Sequence, residues 1–145
     1  MQLERIMTSP VQTITAGASA AEAEALMARA RIHHLVVLGR GRRVAGVVCA
    51  HDLRGAEPGT TVEDLMSAPA VTLSAGADVR EAAKLLRRRS IDCLPLLDHG
   101  RLVGIVTVSD LLALLGKGTL RVQPRTAKWT IPKRGPTHRP EPRRP

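Results

Sequence analysis

The sequence has almost no aromatic residues: phenylalanine and tyrosine are absent, and Trp129 is the single tryptophan. A hydrophobic core must therefore be built from Ala, Val, Leu and Ile, and hydrophobic residues still make up 43% of the 145-residue chain. A flat ligand would be enclosed by aliphatic side chains, because few rings are present on which it can stack. The length suffices for one compact domain or two small ones.

Cysteines and long apolar runs are also scarce. Cys49 and Cys93 are too few for a disulfide framework, and we interpret them as free thiols in a reducing cytoplasm. No apolar run approaches the roughly 20 residues that span a membrane, and the N-terminus, with charges at Glu4 and Arg5, lacks an apolar signal core. We therefore expect a cytoplasmic protein that does not cross a membrane.

Positive charge is concentrated at the C-terminal end. From Lys117 onward nine basic residues accompany a single acid, Glu141, whereas residues 1–116 carry 13 basic and 12 acidic residues. The charge and the six prolines after Gly118 predict a disordered, Pro-rich basic tail over residues 117–145. Such a tail favours weak binding of polyanions, nucleic acid among them, although a segment that only solubilises the chain has the same composition.

The most informative stretch runs from Gly104 to Asp110. Apolar residues after Gly104 indicate the end of a buried strand, Thr107 has the character of a helix N-cap, and Asp110 lies in the first helical turn. A hydroxyl and a carboxylate therefore meet where a strand turns into a helix. A carboxylate can accept from both hydroxyls of a ribose; the alternative is a capping box with no ligand.

The same stretch occurs earlier, from Gly46 to Asp52, with Cys49 in place of the threonine. A Met-x-x-Pro motif at Met7 recurs 59 residues later at Met66. Each copy reads strand, helix, strand, strand, helix, which predicts an α+β fold of two β-α-β-β-α units packed sheet to sheet with pseudo-two-fold symmetry. The expected divisions are a first repeat over 3–54, a linker over 55–65 containing a turn of helix, a second repeat over 66–116 and the tail.

These features resemble a tandem pair of cystathionine-β-synthase (CBS) domains, also called a Bateman module. The resemblance covers residues 1–116, and its strength lies in the matching order and spacing of two copies. The residues that carry it are the two Met-x-x-Pro motifs, the helices capped by Ser19 and Asp78, the strand starts His34-Leu35-Val36-Val37 and Cys93-Leu94-Pro95-Leu96, and the two glycine-to-aspartate turns.

The resemblance implies two clefts between the repeats, each able to take AMP, ADP, ATP or S-adenosylmethionine. In such modules the aspartate of the turn binds the ribose, neighbouring hydroxyls assist, and residues around the central strand enclose the base. Carried over, the expected nucleotide-binding residues are Thr72, Cys93, Leu94, Pro95, Thr107, Ser109 and Asp110.

The first repeat departs from this pattern. Cys49 is a weak hydrogen-bond donor, so we expect the cleft of Asp52 to be the poorer ribose site. The histidines His33, His34 and His51 are candidate phosphate contacts, although the first two are equally compatible with a strand edge that binds nothing. Histidine and cysteine show no Cys-x2-Cys or His-x3-His spacing, so no metal site is expected.

The functional prediction is a non-enzymatic regulatory module that binds an adenosine-type ligand, needs no cofactor, and signals to an unidentified protein partner. The sequence does not indicate a nucleophile, a base and an orienting group that would act together in catalysis. Family analogy implies a homodimer. The alternatives are a CBS scaffold without a ligand and a nucleic-acid-associated protein that acts through its basic tail.

Overall fold

The computed structural model describes residues 1–118; the predicted tail beyond Gly118 lies outside the described residues. The two repeats fold into the same succession of elements. The first repeat contains β1 (Thr13–Thr15), α1 (Ala20–Ala30), β2 (His34–Leu38), β3 (Val44–Cys49) and α2 (Ala50–Leu53), and the chain then forms the single turn α3 (Val62–Leu65). The second repeat contains β4 (Leu73–Ser74), α4 (Val79–Arg89), β5 (Cys93–Asp98), β6 (Arg101–Thr107) and α5 (Val108–Gly116).

Each repeat forms one three-stranded sheet with a parallel and an antiparallel pair. Strand β2 is parallel to β1 and antiparallel to β3, and β5 stands in the same relation to β4 and β6. The central strand is buried on both faces: Leu35 and Val37 belong to the core under the helices, and the intervening Val36 has no exposed surface. The predicted α+β fold of two β-α-β-β-α units is confirmed.

The first long helix of each repeat, α1 or α4, begins and ends in the same way as its counterpart. The Ser19 hydroxyl accepts from the amide of Glu22 at 3.1 Å, and the Asp78 carboxylate accepts from the amide of Arg80 at 2.8 Å. Helix α4 begins at Val79, directly after its N-cap Asp78. Both helices end at a residue in the left-handed conformation, Arg31 or Ser90.

The two repeats exchange their leading segments. Leu3, in a short 3₁₀ turn over Leu3–Arg5, is fully buried in the core of the second repeat. Val62, on α3, is fully buried in the core of the first repeat. Backbone bonds fix both segments: the amide of Leu3 donates to the carbonyl of Ala77 at 2.9 Å, and the amide of Val62 donates to the carbonyl of Ala18 at 2.8 Å. Neither core is complete without chain from outside its own β-α-β-β-α unit.

The exchange explains why the Met-x-x-Pro motif and the glycine of the turn occur together. Met7 packs directly on Gly104, where an added Cβ would come 2.8 Å from the Met7 Cγ. In the other copy an added Cβ on Gly46 would come 2.9 Å from the Met66 Sδ and 2.6 Å from the carbonyl oxygen of Ser67. A side chain at either position would force the crossing segment to shift.

Candidate functional site

Among the cavities between the repeats, two are related to each other by the repeat, and each of these is built from the turn of one repeat and the strand start of the other. The Asp110 cavity has a volume of about 250 Å³. Its second-repeat lining comes from the end of β6 and the first turn of α5, and its first-repeat lining from the Met-x-x-Pro segment and the start of β2. The lining residues are Thr8, Pro10, Val11, Gln12, Ile32, His33, His34, Ile105, Thr107, Ser109 and Asp110.

The Asp52 cavity is the counterpart related by the repeat, with a volume of about 200 Å³. The turn of the first repeat supplies one wall, and the second Met-x-x-Pro segment and the start of β5 supply the other. The lining residues are His34, Val47, Cys49, Asp52, Ser67, Pro69, Ala70, Val71, Ser90, Ile91, Asp92 and Cys93.

The carboxylate of Asp110 caps α5 and lines its cavity at the same time. Its Oδ2 accepts from the amide of Thr107 at 2.8 Å and from the Thr107 hydroxyl at 3.1 Å. The Thr107 hydroxyl in turn accepts from the amide of Asp110 at 3.3 Å. No residue within 1–118 donates to Oδ1, so one oxygen fixes the side chain and the other can accept from a ligand. The capping box and the ligand site, separate alternatives in the sequence, are compatible in the fold.

The carboxylate of Asp52 is held in the same way by a cysteine. Its Oδ2 accepts from the amide of Cys49 at 2.9 Å and from the Cys49 thiol at 3.0 Å. Burial, and then the hydrogen bond to Asp52, raise the pKa of the Cys49 thiol, so the sulfur keeps the proton that it donates. The thiol thus closes the box despite its weakness as a donor, although α2 spans four residues and α5 spans nine.

The predicted site residues are divided between the two cavities. Thr107, Ser109 and Asp110 share theirs with His33 and His34. Cys93 and Asp52 line the other, where burial raises the pKa of the Cys93 thiol to about 12.

Four predicted residues line neither of these two cavities, namely Thr72, Leu94, Pro95 and His51. Leu94 belongs to the core of the second repeat, Pro95 is fully buried, and His51 is exposed on α2. The assignment of Thr72, Cys93, Leu94 and Pro95 to the cavity of Asp110 differs from the structure because each turn faces the strand start of the opposite repeat. The residues placed there instead are from the first repeat.

Sequence reasoning missed six residues of the Asp110 cavity, among them Ile32 and Ile105. The other four, Thr8, Pro10, Val11 and Gln12, lie in or directly after the first Met-x-x-Pro motif. Their signal was the Met-x-x-Pro motif, which marked the repeat but was not connected to a site. The equivalent residues Ser67 and Pro69 line the Asp52 cavity, so the motif contributes to both cavity walls.

Two further observations concern metal binding and membrane crossing by the described residues. Within residues 1–118 no group of three or more His, Cys, Asp or Glu side chains is arranged to hold a metal ion. Among the helices of this part of the chain, none combines the length and the apolar character that crossing a membrane requires.

The fold and the two cavities define a tandem module of paired repeats. The CBS domain family matches residues 3–59 and again residues 62–117. The chain therefore belongs to the CBS domain family, and the pair of CBS domains makes up most of it.

Curated relatives carry this module within much longer proteins. Inosine-5'-monophosphate dehydrogenase of Thermoplasma acidophilum is 33% identical over 110 residues, which cover 75% of this chain and 22% of the relative. The magnesium transporter MgtE of Thermus thermophilus is 38% identical over 85 residues, which cover 58% of this chain and 19% of the relative. The chain thus spans about a fifth of the length of these relatives.

Solved structures of CBS pairs have the same fold. The CBS domain pair of protein MJ0100, in complex with 5'-methylthioadenosine and S-adenosyl-L-methionine, is 25% identical with a TM-score of 0.76, and the match covers 81% of this chain and 98% of that one. A hexameric CBS-CP12 protein from bloom-forming cyanobacteria is 28% identical with a TM-score of 0.74, covering 84% of this chain and 76% of the other.

Proposed function

We propose that this chain is a non-catalytic regulatory module that binds an adenosine-type ligand (AMP, ADP, ATP or S-adenosylmethionine) in the Asp110 cavity. The observation that carries the proposal is the carboxylate of Asp110, whose Oδ2 is held by Thr107 while Oδ1 receives no donor from the described residues. A ribose diol supplies the missing donors, and Ser109 adds a hydroxyl at the same wall. The neighbour bound to 5'-methylthioadenosine and S-adenosylmethionine supports the ligand class.

The rest of the cavity suits a nucleoside. Aliphatic side chains of Pro10, Val11, Ile32 and Ile105 are available to enclose a base, in keeping with a core that has no Phe or Tyr. The volume of about 250 Å³ is close to the lower limit of roughly 300 Å³ for ligand cavities, so a 5' substituent extends toward the cavity mouth. His33 and His34 lie on the wall contributed by the first repeat, where a phosphate would meet imidazole.

The test is titration calorimetry with AMP, ADP, ATP and S-adenosylmethionine on the full chain. Asp110→Ala should abolish or strongly weaken binding of whichever ligand the wild type takes. Because this change also removes a helix cap, Asp64→Ala is the matched control: Asp64 closes an equivalent box on Thr61 at 2.9 and 3.1 Å but lines neither cavity. Equal affinity of wild type and Asp110→Ala, or no binding of any of the four ligands, would contradict the proposal.

The signalling part of the proposal is linkage: the ligand favours one packing of the two repeats, and a protein partner responds to that packing. The exchanged leading segments support this mechanism. The segment before the first repeat packs into the core of the second repeat, and the segment before the second repeat packs into the core of the first. We further propose a cytoplasmic homodimer, for which an apolar stripe on α5 is the supporting feature. Val108, Leu112 and Leu115 follow helical spacing and are 38%, 60% and 38% exposed.

The stripe also supports the second candidate function, a CBS scaffold that assembles with partners without a ligand. Leu112→Glu should convert a dimer to a monomer in light scattering, because a buried unpaired carboxylate is unfavourable at an apolar contact. Ala113→Glu on the adjacent exposed position controls for added charge. A wild-type chain that is already monomeric at high concentration would exclude the homodimer.

A further inference from the structure

His34 is the one residue that lines both of these cavities. It begins β2, is half-buried, and pairs across the sheet with Cys49, which holds Asp52. Its neighbour His33 is exposed and, of these two cavities, lines the Asp110 cavity alone. A single imidazole therefore stands in the wall that separates the two sites.

The charges around this imidazole come from both repeats. Asp52 faces it from the first repeat and Asp92 from the second, both favouring the imidazolium, while His33 on its own strand opposes it. Asp110 completes the acidic groups that line the two cavities. The thiols of Cys49 and Cys93 add no charge, since burial raises the pKa of both.

Burial nevertheless dominates at His34 and lowers its pKa below the ordinary value. The side chain is therefore mostly neutral at neutral pH in the empty protein. A phosphate in the Asp110 cavity lies near the carboxylate of Asp110, and a phosphate in the Asp52 cavity lies near those of Asp52 and Asp92. Among the described lining residues, no lysine or arginine balances these negative charges. Protonation of the imidazole is the response available within both cavities.

We propose that His34 is a proton-linked phosphate contact shared by the two cavities. This inference rests on the proposed function, because it requires an adenosine ligand that carries a 5' phosphate. Binding of the first phosphate takes up a proton at His34, and a second phosphate in the other cavity finds the same imidazolium already engaged and binds more weakly. A ligand without a phosphate, such as 5'-methylthioadenosine, has neither effect.

The direction of the pH dependence follows from the sign of the shift. The ligand raises the His34 pKa relative to the empty protein, so AMP affinity rises as the pH falls through the pKa of the complex and levels off below the pKa of the empty protein. Between about pH 8 and about pH 6 the wild-type affinity should gain roughly threefold to tenfold more than that of His34→Gln. Glutamine keeps a donor at this position but cannot titrate.

The experiment is calorimetry with AMP and with 5'-methylthioadenosine at about pH 7, in two buffers of different ionisation enthalpy. The apparent enthalpy then reports the protons taken up. AMP titrates by itself in this range, so the quantity of interest is the difference between wild type and His34→Gln. His33→Gln is the comparison variant, because it removes an adjacent imidazole that lines the Asp110 cavity but not the Asp52 cavity. Circular dichroism verifies that each variant is folded, and His34→Asn provides a second non-titrating side chain.

The expected result is proton uptake with AMP that His34→Gln and His34→Asn reduce and His33→Gln largely retains, with a weaker second AMP site and no uptake difference for 5'-methylthioadenosine. Tight AMP binding with equal uptake in wild type and His34→Gln overturns the shared contact and leaves the proposed function intact. Failure of every adenosine compound to bind the wild type overturns both.

Discussion

The two turns that close the repeats have nearly the same geometry with different atoms. In one, Thr107 holds Asp110 through an amide at 2.8 Å and a hydroxyl at 3.1 Å; in the other, Cys49 holds Asp52 through an amide at 2.9 Å and a thiol at 3.0 Å. The first turn opens a nine-residue helix and the second a four-residue helix. In both turns the backbone amide therefore positions the carboxylate, and the hydroxyl or thiol beside it determines how firmly the carboxylate is held.

The walls opposite the two turns differ more than the turns do. His33 and His34 face Asp110, whereas the equivalent strand start facing Asp52 has Asp92 and Cys93. A phosphorylated ligand therefore meets two imidazoles opposite Asp110, whereas opposite Asp52 it meets the carboxylate of Asp92 beside the shared imidazole of His34. The asymmetry of the module lies in these facing residues as well as in the substitution of cysteine for threonine.

The largest expected effect tests the exchange of leading segments. Leu3→Ala removes a fully buried side chain from the core of the second repeat, so the free energy of unfolding should fall by about 2–5 kcal/mol. Urea denaturation followed by circular dichroism measures the change. Leu112→Ala, at an exposed leucine, is the matched control and should alter stability little. A Leu3→Ala protein as stable as its control would mean that the segment does not contribute to the core in solution.

The glycines of the two turns should also differ in their tolerance of a methyl group. Gly46→Ala brings a Cβ within 2.6 Å of the Ser67 carbonyl oxygen, whereas the contacts of Gly104→Ala are with the side chain of Met7. Overpacking costs about 1–3 kcal/mol, and Gly46→Ala should lie nearer the upper end because backbone yields less readily than a methionine. Parallel denaturation curves measure both variants. A larger loss for Gly104→Ala would contradict this reasoning.

The ligand comparison concerns the two carboxylates. Loss of a hydrogen bond to a charged acceptor costs about 1.5–3 kcal/mol, so Asp110→Ala should weaken nucleotide binding by roughly 10–100-fold, and Asp52→Ala should weaken it less. Calorimetry with the best ligand of the nucleotide panel measures both affinities. Equal losses in the two variants would remove the proposed difference between the cavities.

The sequence predicted those features of the module that depend on local patterns. The order of the elements, the caps at Ser19 and Asp78, and the meeting of Thr107 with Asp110 follow from spacing along the chain. The exchange of Leu3 and Val62 between cores was not predicted, because it depends on contacts between segments far apart in sequence. For the same reason the sequence did not show that Leu94 and Pro95 are buried and line neither cavity: periodicity identifies a strand but not which of its side chains reach a cavity.

A smaller change sharpens the comparison of the caps. Cys49→Thr should restore a hydroxyl beside Asp52, and because a hydroxyl is a better donor and acceptor than a thiol, stability should rise by up to about 1 kcal/mol. The reciprocal Thr107→Cys should lower it by a similar amount. Thermal denaturation of the two variants measures the effect. If both variants lose stability equally, packing around the sulfur, and not the hydrogen bond, determines the preference for cysteine at position 49.

The smallest expected effect on stability is that of removing the basic tail. Residues 1–116 are nearly neutral, with 13 basic and 12 acidic residues, whereas the chain from Lys117 onward holds nine basic residues and one acid. A 1–118 chain should bind the adenosine ligand and melt like the full-length protein, because it contains all the lining residues that the structure describes for both cavities. Only the full-length chain should retard nucleic acid in gel assays, and the binding should weaken steeply with salt, since counterion release drives it. Equal weak retardation by both chains would assign no polyanion binding to the tail and leave the cavities as the functional surface of the molecule.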